Sequence, residues 1–159
     1  MGAMKRRAGA GRPCLWLGMP PAQKLGMNGV KQPTQGPRIL IVEDDPVAAR
    51  VYGQYLKKAG FHVMVATDGH TGLQKVRQLR PDGVLLDIML PGLNGVEVLK
   101  EIRTTHPDLP VVVYTNGFVP LLVDEVVAAG ATHVFNKISL TSLELSNAFD
   151  KSLRRKAAA

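Results

Sequence analysis

The sequence predicts an α/β protein: a doubly wound, parallel, five-stranded sheet made from five successive βα units. Three observations carry this expectation. Short β-rich runs alternate five times with longer helical patterns. The runs are continuously apolar rather than alternating, as befits strands covered by helices on both faces. The connections are short, which with right-handed crossovers leaves an open α/β sheet whose functional groups gather at the carboxyl ends of the strands, near a topological switch point.

The strand runs are Ile39 to Val42, His62 to Ala66, Gly83 to Leu86, Val111 to Tyr114 and Thr132 to Phe135. Helical patterns fall near residues 46–59, 70–79, 94–105, 119–129 and 141–153. Several starts carry capping chemistry. Asp45 precedes Pro46, an N-cap followed by proline at the first helical position. Asn94 with Glu97, and Thr141 with Glu144, have the spacing of a capping box. Gly60 and Gly130 fit the left-handed positions that end helices.

The chain has 159 residues, 45% hydrophobic and 21% charged, which suits one ordinary soluble domain and needs neither disulfides nor structural metal. No apolar run reaches the length of a bilayer span. A single cysteine, Cys14, excludes an intramolecular disulfide framework and a cysteine-rich zinc site, and fits a reducing cytoplasm. The net charge of +7 is unevenly spread. Residues 1–37 hold six of the 20 basic residues and none of the 13 acidic ones, while Arg154, Arg155 and Lys156 close the chain. Residues 38–153 carry 11 basic and 13 acidic residues, a net charge of about −2. Three segments follow: a disordered, basic, Gly/Pro-rich leader over 1–37, a folded domain over 38–153 and a basic tail over 154–159. The charge belongs to the ends, so the folded domain is expected to bind neither nucleic acid nor membrane, and Trp16 is the only stacking aromatic in the leader.

Polar residues stand at the carboxyl end of each central run: Glu43, Asp44 and Asp45 after the first, Asp87 after the third, Thr115 after the fourth and Lys137 after the fifth. Carboxylates held about 4 Å apart repel by roughly 1 to 4 kcal/mol per pair between bulk water and a protein surface, so this cluster invites a cation. Oxygen ligands suit Mg²⁺. A hydroxyl and an ammonium beside it can hold phosphoryl oxygens. Asp45 is read as a cap and the histidines show no metal-ligand spacing. No G-x-x-x-x-G-K-S/T or G-x-G-x-x-G loop follows a strand, which removes nucleotide binding. A second aspartate two residues after Asp87, as a haloacid-dehalogenase-type phosphatase needs, is replaced by Met89.

The segments IVEDDP, LLDIMLPGLNG, VVVYTN and VFNK, in this order and on these strands, resemble the response-regulator receiver domain of two-component systems, of the CheY-like, flavodoxin-like type with strand order 2-1-3-4-5. The resemblance covers about residues 38–153. It implies that Asp87 is the nucleophile and phosphoacceptor, that Glu43 and Asp44 bind Mg²⁺ together with Asp87, and that the main-chain carbonyl of Met89 completes the protein ligands. Thr115 and Lys137 match the residues that contact the phosphoryl group. The donor it implies is a phosphohistidine on a sensor histidine kinase or a histidine phosphotransfer protein. Output is expected through a downstream protein or a homodimer on the surface of helix four, strand five and helix five. The domain would catalyse only its own phosphorylation and dephosphorylation.

Three positions depart from the family pattern. Ile138 stands where a proline usually follows the lysine, and a cis bond before a non-proline residue costs about 2.5 to 4 kcal/mol, so a trans bond is expected. Val134 replaces the usual aromatic, and Phe135 should point to the opposite side of its strand. Asn116 is larger than the residue usual after the threonine. These changes keep a second reading open, a non-phosphorylated pseudo-receiver that is a constitutive interaction module. The chain reads as a stand-alone receiver or as one excised from a larger protein.

Overall fold

A computed structural model describes residues 36–116 and 120–158. All but the last two positions of the expected leader, with Cys14 and Trp16, lie outside the described residues, as do Gly117 and Val119. The elements run β1 (Arg38–Val42), α1 (Pro46–Lys58), β2 (His62–Ala66), α2 (Gly69–Leu79), β3 (Gly83–Asp87), α3 (Gly95–Thr105), β4 (Val111–Thr115), α4 (Pro120–Ala128), β5 (His133–Asn136) and α5 (Ser142–Ala158). All four strand pairings are parallel, in the order β2-β1-β3-β4-β5. The chain reverses direction across the sheet between β1 and β3, which is where such folds place their sites.

The apolar runs divide by parity into two cores. Leu40, Val42, Val84, Leu86, Val111 and Val113 face one way and pack with residues of α2, α3 and α4 such as Val76, Leu99 and Val126. Ile39, Ile41, Leu85, Val112 and Tyr114 face the other way against Tyr52 and Leu56 of α1 and Leu145 and Phe149 of α5. Each strand therefore needs apolar residues at odd and even positions alike. Val134 lies against the first core and Phe135 against the second, the opposed orientation expected of neighbours on β5.

The caps form as the sequence predicts. The Asp45 carboxylate accepts the Val47 N–H at 2.8 Å. Asn94 and Glu97 close a reciprocal capping box on α3, and the Thr141 N–H donates to Glu144 while the Glu144 N–H donates to the Thr141 hydroxyl. Gly60 and Gly130 have φ of +91° and +97°, in the left-handed region that glycine tolerates. Two termini depart from expectation. α2 starts from an unanticipated cap, Asp68, whose carboxylate takes the Thr71 N–H and hydroxyl at 2.8 and 2.7 Å. α5 continues to Ala158, five residues beyond the expected end at Leu153. Its amphipathic stripe stops at Leu153, but Arg, Lys and Ala are strong helix formers, and Arg155 and Lys156 complement the negative end of the helix dipole.

Gly95 positions the site most directly. Its N–H donates to the Ile88 carbonyl at 3.1 Å, and a Cβ there would lie 2.3 Å from the Asp87 carbonyl oxygen and 2.5 Å from the Ile88 Cα. The start of α3 can thus press against the segment leaving β3 only because no side chain intervenes.

Asp68→Ala is expected to cost about 1 kcal/mol, read as a fall of a few degrees in Tm by thermal melting. The Thr71 backbone hydrogen bond, followed by that of its hydroxyl, holds the Asp68 carboxyl below its usual pKa. The cap's contribution is therefore complete above the unfolded-chain value of about 3.9 and is lost as pH falls through the lower folded value. The Tm difference between wild type and variant should shrink on that descent; a difference unchanged to pH 2 contradicts this account.

Candidate functional site

Few polar side chains are buried in this molecule, and their location is informative. Among the described residues Glu43, Asp87, Thr115 and Ser152 are the buried polar or charged ones, and the first three stand at or just past the carboxyl ends of β1, β3 and β4. Burying a carboxylate is unfavourable without a paired charge and hydrogen bonds. Glu43 is 1% and Asp87 3% exposed, so both need a partner.

That partner in this state is Lys137, which follows β5. Its Nζ lies 2.7 Å from Asp87 Oδ2 and 2.6 Å from Glu43 Oε2. Burial works against the ammonium, yet hydrogen bonds and charge from Asp87 and Glu43 outweigh it and hold the Lys137 pKa above that of an ordinary lysine. The remaining carboxylate oxygens meet backbone donors. Asp87 Oδ1 accepts the Met89 N–H at 3.0 Å, and Glu43 Oε1 accepts the Asp45 N–H at 3.3 Å. Glu43, Asp44 and Asp87 each offer one oxygen, and these atoms lie within 4.8 Å of one another, with Asp44 exposed to solvent. An exposed and two buried carboxylates at this spacing make an all-oxygen set open on one side, which fits a hard divalent cation that keeps several waters.

The other expected residues join the same rim. Thr115 is buried at the end of β4, and its carbonyl accepts the Lys137 N–H at 3.1 Å. Met89 leaves β3 with its backbone turned to Asp87 and its side chain exposed. Asp45 is engaged as the α1 cap rather than in the carboxylate cluster. Ile138 follows Lys137 through a trans bond, consistent with the expectation for a non-proline residue, and its side chain is 85% exposed.

Two tyrosines on the α1/α5 side had not been singled out from the sequence. The Tyr52 hydroxyl of α1 donates to the Lys137 carbonyl at 3.1 Å. Tyr114, fully buried on β4, sets its ring 4.7 Å from Lys137 Nζ and meets the Tyr52 ring edge-on at 4.8 Å. Lys137 is thus fixed at its carbonyl, its amide and its ammonium without a proline after it. The signal available was parity: Tyr114 shares a face with Val112 and lies opposite Thr115, and on that face it reads as one more apolar strand residue.

Comparison with known proteins agrees with this arrangement. Residues 39–148 match the family described as the response regulator receiver domain. The chain is 45% identical over 82 residues to the DNA-binding response regulator MtrA of Mycolicibacterium smegmatis, covering 52% of this chain and 36% of that protein. It is 35% identical over 113 residues to a cyclic di-GMP phosphodiesterase of Thermotoga maritima, covering 69% of this chain and 30% of that protein. It spans about a third of the length of these curated relatives. A CheY-like response regulator receiver domain protein from Methanospirillum hungatei superposes with a TM-score of 0.73 at 25% identity, covering 77% of this chain and 98% of that one. A LuxR-family DNA-binding response regulator from Staphylococcus aureus gives 0.69 at 26% identity, covering 74% and 98%. With the strand order, the acidic rim and the family match in agreement, the chain belongs to the response regulator receiver domain family of two-component systems.

Proposed function

We propose that Asp87 is the phosphoacceptor of a two-component or phosphorelay pathway, taking a phosphoryl group from phosphohistidine on a sensor histidine kinase or a phosphotransfer protein in the cytoplasm. The observation that carries this reading is the convergence on Asp87 of two further carboxylates and one half-buried ammonium. An Asp87 carboxylate oxygen attacks phosphorus, the P–N bond to the donor imidazole breaks, and its electron pair leaves with the imidazole nitrogen. Glu43, Asp44 and Asp87, with the Met89 carbonyl, would hold Mg²⁺, which when bound offsets negative charge on the transferring group. Lys137, 2.7 Å from Asp87, is placed to follow that charge onto the phosphoryl oxygens, and the buried Thr115 to meet it from β4. The domain acts on no substrate but itself in this reading.

Output would pass through α4, β5 and α5 to a downstream protein or a second copy. α4 supports this: Val126 is its buried residue, while Leu121 and Val127 are 79% and 56% exposed, more apolar surface than one core-facing stripe leaves outside. With Val134 at the usual aromatic position, the shift is carried by the backbone after Thr115 and by α4 rather than by a rotating ring. Among the described residues no helix is long and apolar enough to cross a membrane. The alternative of a constitutive pseudo-receiver draws on Val134 and Ile138, and it leaves the assembly of Glu43, Asp44, Asp87 and Lys137 without a purpose.

Labelling with acetyl phosphate tests the acceptor: the wild type should incorporate phosphate and Asp87→Asn should not. Equal incorporation in the variant would overturn the assignment. Changing Glu43→Gln together with Asp44→Asn should abolish the Mg²⁺ dependence of labelling, and a Mg²⁺ response identical to that of wild type would remove these two residues from the metal set.

A further inference from the structure

Tyr114 is a buried phenol placed against charged groups that the proposed chemistry rearranges. Its side chain is fully buried, and its hydroxyl, within hydrogen-bonding reach of the Glu43 carboxylate, makes no hydrogen bond of good geometry. An unsatisfied buried hydroxyl is costly and is therefore rare. The Glu43 carboxylate lies beside it, and Glu43 Oε2 is the other buried side-chain polar atom of the described residues that lacks a well-formed hydrogen bond. Oε2 is held by the Lys137 ammonium, with Nζ at 2.6 Å. The phenol and the carboxylate thus stand side by side without a well-formed hydrogen bond between them, while one ammonium holds the carboxylate. Burial, followed by the negative charge of Glu43 and a hydrogen-bonding contact with it, pushes ionisation of the phenol far up.

We propose that Tyr114 is a positioning residue for Glu43: its hydroxyl is a reserve hydrogen-bond donor that takes over the carboxylate when Lys137 turns from Glu43 toward the phosphoryl group. The inference rests on the function proposed above and adds what that function requires. Once Lys137 leaves, Glu43 retains one backbone hydrogen bond, from the Asp45 N–H at 3.3 Å, and would be free to swing. A phenol hydrogen bond fixes its plane and keeps its outward oxygen aimed at the cation. The ring is held for this by its edge contact with Tyr52, whose own hydroxyl pins the Lys137 carbonyl and so confines the lysine's movement to its side chain. No covalent bond changes, and the transfer of the Glu43 oxygen from ammonium to phenol conserves protons.

Tyr114→Phe isolates the hydroxyl while keeping the ring beneath Lys137. Mg²⁺ affinity is measured by isothermal titration calorimetry on the full chain in the presence of beryllofluoride, with thermal melting of the ion-free protein alongside. The inference predicts an ion-free Tm equal to or above that of wild type, since a poorly satisfied hydroxyl is removed, together with Mg²⁺ binding about ten- to a hundredfold weaker, the worth of a hydrogen bond to a charged group. A merely structural tyrosine gives the reverse pattern, a lowered Tm with unchanged Mg²⁺ affinity, and that result overturns the inference while leaving the proposed function intact. A wild type that binds no Mg²⁺ under these conditions overturns the proposed function, and the inference with it.

Discussion

The contact on which the site depends is the double ion pair of Lys137 with Glu43 and Asp87, at 2.6 and 2.7 Å. Two carboxylates almost fully removed from water at the ends of neighbouring strands repel each other and lose hydration, and neither loss is tolerable without a cation. The ammonium supplies that cation in the resting state. The same contact can respond to charge, because a second positive charge brought to the carboxylates would weaken the hold on Lys137, and negative charge added at Asp87 would draw the ammonium from Glu43 toward it. The site is in this sense a balance of charges removed from water.

The fold exists in the form it does to maintain that balance. Parallel strands all end at one rim, so β1, β3, β4 and β5 deliver Glu43, Asp87, Thr115 and Lys137 to a common edge while their interiors supply two apolar cores. Gly95 lets α3 begin against the backbone that leaves Asp87, and the Asn94 capping box fixes the angle of that start. On the opposite side, Tyr52 and Tyr114 replace with aromatic packing the restraint that a proline after Lys137 would impose. Of the departures from the family pattern, Ile138 lies past the end of β5, where Tyr52 of α1 holds the preceding Lys137 carbonyl, and Val134 packs against the core on the α2, α3 and α4 side.

Much of this was legible in the chain itself. Continuous apolar runs such as Ile39 to Val42 announce a doubly covered strand, and Asp45-Pro46 or Asn94 to Glu97 announce helix starts, because each is a local pattern with a local cause. Asp87, Glu43, Asp44, Thr115 and Lys137 could be gathered because strand ends converge in any fold of this class. What escaped depended on distance in space. The pairing of Lys137 with Glu43 as well as Asp87 links residues far apart in sequence through three strands, and nothing near Tyr114 distinguishes it from its valine neighbours. Asp68 escaped as a cap for a different reason: the two glycines and the histidine after it weaken the helical pattern of α2 at its start. The end of α5 was missed because amphipathicity marks where a helix stops packing, whereas propensity decides where it stops being helical.

The central claim is that Lys137 serves as the resting counter-ion that a metal later shares, and the Mg²⁺-induced change in thermal stability of Lys137→Met measures it directly. Removing the ammonium leaves Glu43 and Asp87 uncompensated, so the ion-free variant should melt well below wild type, and Mg²⁺ should restore much of the loss, giving a larger Mg²⁺-induced rise in Tm than wild type shows. An ion-free Tm equal to that of wild type, or a Mg²⁺-induced rise no larger than that of wild type, would contradict the account.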